Sequence, residues 1–107
     1  MSHATKINDD QFQQIVLNSS QPVLVDFWGE GCPPCTAIAP LIDSLSEDFD
    51  GKARVVKVNV NENQQWASQY GITAVPTVLY FKGGEVVDQQ MGMVSKEVYA
   101  GKLDKLL

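Results

Sequence analysis

The sequence lacks the features that mark several large classes of protein. Its eight Lys and Arg residues are scattered through 107 residues, and the formal net charge is −5. This acidic balance argues against nucleic-acid binding, which requires a basic face, and against attachment to an anionic membrane through a polybasic run. No apolar stretch approaches the ~20 residues of a membrane-spanning helix. The first six residues lack the apolar core of a secretory signal, so we expect a cytoplasmic protein.

Histidine and cysteine are also scarce. The single histidine is His3, in a terminal segment that we expect to be a tail, and the two cysteines are Cys32 and Cys35. Because structural zinc requires four ligands, a metal site would need a dimer of this chain. A structural disulfide is disfavoured where thiols are kept reduced. We therefore interpret the pair first as a catalytic dithiol, with metal binding and a structural disulfide as the alternatives.

What the chain does contain is a regular alternation of predicted elements. No repeat or linker divides it, so we expect one domain over residues 1–107. Periodicity and turn signals predict helices over residues 8–18, 32–50, 62–70 and 96–106, and strands over 23–28, 54–60, 77–81 and 85–87. A further short strand over residues 5–7 is compatible with the pattern. This order predicts an α/β fold in which helices cover both faces of a mixed sheet.

The cysteine pair lies where the second predicted helix begins. The first backbone N–H groups of a helix lack intrahelical partners, and the helix dipole favours negative charge, so this position stabilises a thiolate. Cys32 is expected at the exposed N-cap and Cys35 one turn further in and more buried. The first thiol can then attack a disulfide in a partner, and the second can resolve the mixed disulfide. Pro33 suits the first position of a helix, where its missing N–H costs nothing, but Pro34 disfavours helical geometry at Pro33, and we expect a stiff loop between the cysteines.

Asp26 is an isolated carboxylate within the apolar strand that precedes the dithiol. Burial there should raise the pKa of Asp26 toward neutrality, so that the carboxyl can exchange protons near pH 7. The alternative is a buried carboxylate that is merely paired with Lys57. Lys57 itself alternates with valines along its strand, which is equally compatible with a solvated strand face.

Four segments together resemble the thioredoxin family. Residues 25–35 resemble its active-site segment, and Ala39-Pro40 its kinked helix, in which Pro40 removes one backbone hydrogen bond. Residues 70–77 are similar to its proline-containing loop, and residues 81–86 with Gly92 to its final hairpin and the following loop. The similarity runs from about residue 7 to the C-terminus. It implies a thioredoxin fold, a mixed sheet flanked by four helices, and an activity in protein-disulfide reduction.

The resemblance also implies roles for individual residues. Cys32 would be the nucleophile and Cys35 the resolving thiol, while Asp26 would assist proton transfer at Cys35 with Lys57 as the charge beside it. Pro76 would be the family's cis-proline, and Val75 would offer backbone hydrogen bonds to an extended substrate. The expected substrate-binding residues are Trp28, Gly31, Pro33, Pro34, Val75, Pro76, Gly92 and Met93.

Two positions depart from the family pattern. Gly31 stands where the family usually has Trp, and Pro33 where it usually has Gly. Loss of the indole removes a large apolar contact from the partner-binding rim, which is the surface around Cys32. Met91 and Met93 could supply a softer surface there instead. We expect these differences to affect the choice of partner more than the chemistry.

The resemblance implies a monomer that needs no bound cofactor, because the cysteines carry the electrons. Its partners would be disulfide-containing proteins and an NADPH-linked thioredoxin reductase that returns it to the dithiol. Two other functions stay open at this point. One is a disulfide isomerase or oxidant, if Gly31 and Pro33 raise the reduction potential. The other is a docking module without enzymatic activity, or a dimer that holds a metal cluster through Cys32.

Overall fold

A computed structural model describes residues 4–107, so the predicted tail residue His3 lies outside the described part. The elements alternate as the periodicity predicts. The strands are β1 (Thr5–Lys6), β2 (Val23–Trp28), β3 (Arg54–Asn59), β4 (Thr77–Lys82) and β5 (Glu85–Met91). The helices are α1 (Asp9–Phe12), continued by a π-helical segment (Gln13–Leu17), α2 (Pro33–Asp48), α3 (Gln65–Gln69) and α4 (Lys96–Asp104).

The five strands form one mixed sheet in the order β1-β3-β2-β4-β5. β3 pairs in parallel with both β1 and β2, whereas β4 is antiparallel to β2 and to β5. β2 is therefore the central strand, and its C-terminal end leads directly to the cysteines. The predicted α/β fold, a mixed sheet with four helices, is confirmed.

Each face of the sheet is covered by its own apolar cluster. One cluster joins Leu24, Val78 and Tyr80 to side chains of α2 and α4, such as Ile42 and Leu103. The opposite cluster packs the alternate strand residues against the α1 segment and α3. Because successive strand residues point to opposite faces, β2 contributes to both clusters and is buried along its length.

Trp66 and Tyr70 are packing residues of the second cluster, as expected. The Trp66 ring stacks on Phe12 with ring centroids 4.8 Å apart, and its Nε1–H donates to the Asp9 carbonyl at 3.0 Å. The predicted capping box before α1 is also present, since Asn8 and Gln11 each accept a backbone N–H from the other. The contacts of Trp66 join the first helix to the third on one face of the sheet.

Several predicted boundaries differ from the structure. α3 begins at Gln65 and not at residue 62, because residues 59–63 form a turn in which Asn63 N–H donates to the Asn59 carbonyl at 2.9 Å. β5 extends to Met91, four residues beyond its predicted end. No helix in residues 4–107 combines the length and the apolar character needed to cross a membrane.

The predicted stiff loop between the cysteines is wrong, because Pro33 and Pro34 are the first two residues of α2. Proline is tolerated at this end of a helix, where its missing N–H would have had no intrahelical partner. The Cys32 sulfur accepts the Cys35 N–H and so caps the helix. α2 then continues without a break through Pro40.

Candidate active site

Cys32 and Cys35 form a disulfide at the N-terminus of α2. β2 ends at Trp28, and a short turn leads the chain to Cys32 at the N-cap, as predicted. Cys32 is half-buried and Cys35 is buried. The Cys32 Sγ lies 3.2 Å from the Cys35 backbone nitrogen, whose N–H points at the sulfur. A thiolate at Cys32 would therefore meet a backbone donor and the positive end of the helix dipole.

The loop before β4 lies against the cysteines. The Val75–Pro76 peptide bond is cis, and the Val75 carbonyl oxygen lies 3.8 Å from Cys32 Sγ. Pro76 is buried, and its carbonyl accepts the N–H of Gly92 at 2.9 Å. The Gly92 carbonyl in turn accepts the Tyr99 hydroxyl at 3.1 Å. Two loops that are distant in sequence are thus joined beside the first cysteine.

The remaining predicted substrate-binding residues differ in their exposure. Gly31, Pro33, Pro34 and Met93 are exposed, and Trp28 is half-buried. Met93 and its neighbour Met91 are 59% and 55% exposed, which leaves both thioethers open to a partner. Gly31 has a φ of 66°, a left-handed conformation that favours glycine over a bulky side chain. The positive φ therefore gives a structural reason for glycine at position 31, which the family pattern by itself did not show.

Asp26 is buried in the centre of the sheet, with 2% of its surface exposed. Its Oδ1 has no hydrogen-bond partner among the described residues. Burial raises the pKa of Asp26 to about 7, while the charge of Lys57 lowers it and that of Asp43 raises it. The predicted shift of the Asp26 pKa toward neutrality is confirmed, and its cause is desolvation of the carboxylate.

Lys57 is the direct cross-strand partner of Asp26 in the parallel pairing of β2 and β3. Its ammonium nevertheless pairs with a different carboxylate, at 3.6 Å from Asp43 Oδ1. The Lys57 side chain is only 15% exposed, so this end of the strand face is largely covered by α2.

A cavity of about 200 Å³ joins these groups. It is bounded by side chains from β1, β2, β3 and α2. Its lining includes Lys6, Asp26, Trp28, Cys35, Thr36 and Lys57. The cavity is large enough for water, so Asp26 and Cys35 face one space in which a proton can pass between them. The Nε1 of Trp28 is buried and has no hydrogen-bond partner within residues 4–107.

Asp43 and Lys6 were not identified from the sequence. Residues 35, 39 and 43 are spaced four apart on a predicted helix and so share one face, which was the available signal for Asp43. Nothing in the sequence said that this face would meet Lys57. In the part of the chain that the structure describes, no three His, Cys, Asp or Glu side chains are grouped to hold a metal ion.

Comparison with known proteins gives one consistent family. A family model described as Thioredoxin matches residues 3–105. Thioredoxin 1 of Nostoc sp. is 49% identical over 107 residues, which is the whole of both chains, and a thioredoxin of Synechocystis sp. is 47% identical over the same extent. A thioredoxin of Pseudomonas aeruginosa is 42% identical over 102 residues, covering 95% of this chain and 94% of that protein.

Proposed function

Because this chain belongs to the thioredoxin family and is a thiol–disulfide oxidoreductase that reduces protein disulfides, we propose that its Cys32-Pro33-Pro34-Cys35 segment is the active site. The observation that carries this proposal is the position of the cysteine pair. Cys32 caps a helix beside an exposed rim, and Cys35 is buried against a cavity that it shares with Asp26.

The reaction consists of two exchanges of sulfur partners. The Cys32 thiolate attacks one sulfur of a disulfide in the partner protein, which forms a mixed disulfide and releases one partner thiolate. The Cys35 thiolate then attacks Cys32 Sγ, which releases the second partner thiolate and forms the Cys32–Cys35 disulfide. Two electrons pass from the dithiol to the partner, and the two partner thiolates take up protons.

Asp26 accepts the proton that Cys35 must lose before it can attack. A carboxyl with a pKa of about 7 is suited to this exchange at neutral pH, because neither of its protonation states is strongly favoured. The shared cavity supplies the route between the two groups. Lys57 contributes a positive charge beside Asp26 and limits the rise of its pKa.

The partner binds at the rim around Cys32. The Val75 carbonyl lies 3.8 Å from Cys32 Sγ, where it can accept an N–H from an extended partner segment. The other contacts come from Trp28, Gly31, Pro33, Pro34, Gly92 and Met93. The exposed Met93 provides a polarizable surface that can adapt to several partners.

We propose that a thioredoxin reductase, using NADPH, returns the disulfide to the dithiol. No bound cofactor takes part, because the electrons reside on the two sulfurs. Reduction of partners requires a compartment in which thiols are kept reduced, so the protein is assigned to the cytoplasm. It acts as a monomer and as one domain over residues 1–107.

A trapping experiment tests the roles of the two cysteines. The Cys35→Ser variant can form the mixed disulfide and cannot resolve it, so it should accumulate a covalent complex with a disulfide-containing protein that dithiothreitol releases. The matched Cys32→Ser variant lacks the attacking thiol at the rim and should trap at least about tenfold less complex, since Cys35 is buried. Equal trapping by both variants, or by neither, would contradict the assignment.

A further inference from the structure

Three neighbouring strands bring charged side chains into one row across the sheet. Lys6 on β1 is paired with Lys57 on β3, and Lys57 is paired with Asp26 on β2. Paired residues on adjacent strands point to the same face of a sheet, with side chains close enough to interact. Two cations and one buried carboxyl therefore follow one another beneath α2.

A second carboxylate, on the helix that covers this face of the sheet, contacts the row of charged side chains. Asp43 lies on α2, two helical turns beyond Cys35, and its Oδ1 is 3.6 Å from Lys57 Nζ. The same oxygen accepts the Ala4 backbone N–H at 3.1 Å, which ties Asp43 to the segment that leads into β1. Within residues 4–107, Lys57 makes its salt bridge with Asp43 and makes none with Asp26.

We propose that Asp43 is a positioning residue for the dithiol reaction: it holds the Lys57 ammonium away from Asp26, so that Asp26 can keep a proton to exchange with Cys35. The inference rests on the role of Asp26 under the proposed function. A lysine paired directly with Asp26 would stabilise the carboxylate and make it a poor proton acceptor near pH 7. Asp43 opposes this pairing by competing for Lys57 and by adding a negative charge of its own.

The other groups that face Asp26 do not compete with it for the Lys57 ammonium. Lys6 and Lys57 are cations, and Val78, the β4 partner of Asp26, is uncharged. Tyr99 on α4 is buried, and burial raises its pKa, so its hydroxyl stays neutral in the working range. Cys35 is the group with which Asp26 exchanges its proton. Asp43 is thus the second anion of this set.

The Asp43→Asn variant tests the inference with little change in shape. The amide oxygen can still accept the Ala4 N–H, while the negative charge is lost. We expect the protonation midpoint of Asp26, followed by carboxyl 13C NMR in the oxidised protein, to fall by about one pH unit. The pH profile for reduction of a disulfide-bonded protein such as insulin should move in the same direction. Asp43→Glu, which restores the charge, should restore both.

Two further variants make the outcomes distinct. Asp48→Asn removes the same charge from α2 at a residue paired with Lys96 at 2.7 Å, and should move neither quantity. An unchanged Asp26 midpoint in Asp43→Asn overturns the inference. The inference is also overturned if Asp43→Asn lowers the Asp26 midpoint but leaves the pH profile of disulfide reduction unchanged, provided that Asp26→Asn does alter that profile. If Asp26→Asn leaves the profile unaltered, the proposed role of Asp26 fails instead, and the inference fails with it.

Discussion

At the scale of single residues, the burial of Asp26 that suits its proposed role also lowers the stability of the fold. The carboxyl is desolvated, its Oδ1 has no hydrogen-bond partner among the described residues, and its pKa is raised from 3.8 to about 7. A group whose pKa is higher in the folded state than in the unfolded state destabilises the fold when it ionises. Below pH 3.8 both states are protonated and there is no penalty. The penalty grows as the pH rises through the window from 3.8 to about 7 and is complete above it.

Asp26→Asn should remove this penalty. The free energy of unfolding of the variant, relative to that of the original protein, should increase by roughly 4 kcal/mol between about pH 4 and about pH 8. Denaturant unfolding of both proteins at several pH values measures this difference. The oxidised forms should be used, because their disulfide cysteines do not titrate. A difference that stays constant across this range would contradict the raised pKa of Asp26.

At the scale of elements, the turn of the β4–β5 hairpin shows how one glycine differs from its neighbour. Gly83 and Gly84 both have positive φ, 61° and 80°, as a two-residue hairpin turn of this kind requires. A Cβ on Gly83 would meet open space, whereas one on Gly84 would lie 2.9 Å from the Leu17 carbonyl oxygen. Gly84 therefore also sets how closely the hairpin approaches the end of the first helical segment.

Alanine substitutions at the two glycines should separate backbone strain from steric contact. Gly83→Ala should lower the free energy of unfolding by about 1 kcal/mol, the cost of a left-handed residue with a Cβ. Gly84→Ala should lower it by about 3 kcal/mol, since the backbone of Leu17 must also shift. Denaturant unfolding measures both values. Equal losses would mean that the contact with Leu17 does not restrain the hairpin.

At the scale of the whole molecule, the order of the strands in the sheet predicts which strands are the last to open during unfolding. β2 is paired on both sides and buried from Val23 to Phe27. β1 has two residues at one edge of the sheet, and β5, mostly exposed, forms the other edge. The central strands therefore open only with both apolar clusters, whereas the edges can open locally.

Native-state hydrogen exchange should follow this order. The hydrogen-bonded amides of β2 should exchange at least about 100-fold more slowly than those of β5, because their opening requires global unfolding. NMR of the oxidised protein in deuterated buffer measures the rates, and the paired amides of β4 provide an internal reference. Equal protection of β5 and β2 would show that the edge strand does not open on its own.

The sequence by itself determined the elements and the chemistry that depends on local context. Hydrophobic periodicity and turn residues are local signals, so the alternating order, the capping box at Asn8 and the helix start at Cys32 could all be predicted. Burial of Asp26 followed from its apolar neighbours, and with it the rise of its pKa. Boundaries set by hydrogen bonds within turns, such as the late start of α3 after the turn at residues 59–63, were missed.

Only the tertiary structure decided which distant residues meet. The salt bridge of Lys57 with Asp43, the cavity shared by Asp26 and Cys35, and the approach of Val75 to Cys32 each join separate elements. These contacts depend on strand register and on the rotation of α2 over the sheet, and packing of the whole core fixes both. Local sequence places a residue on a face of its own element; the opposing element is set by the fold as a whole.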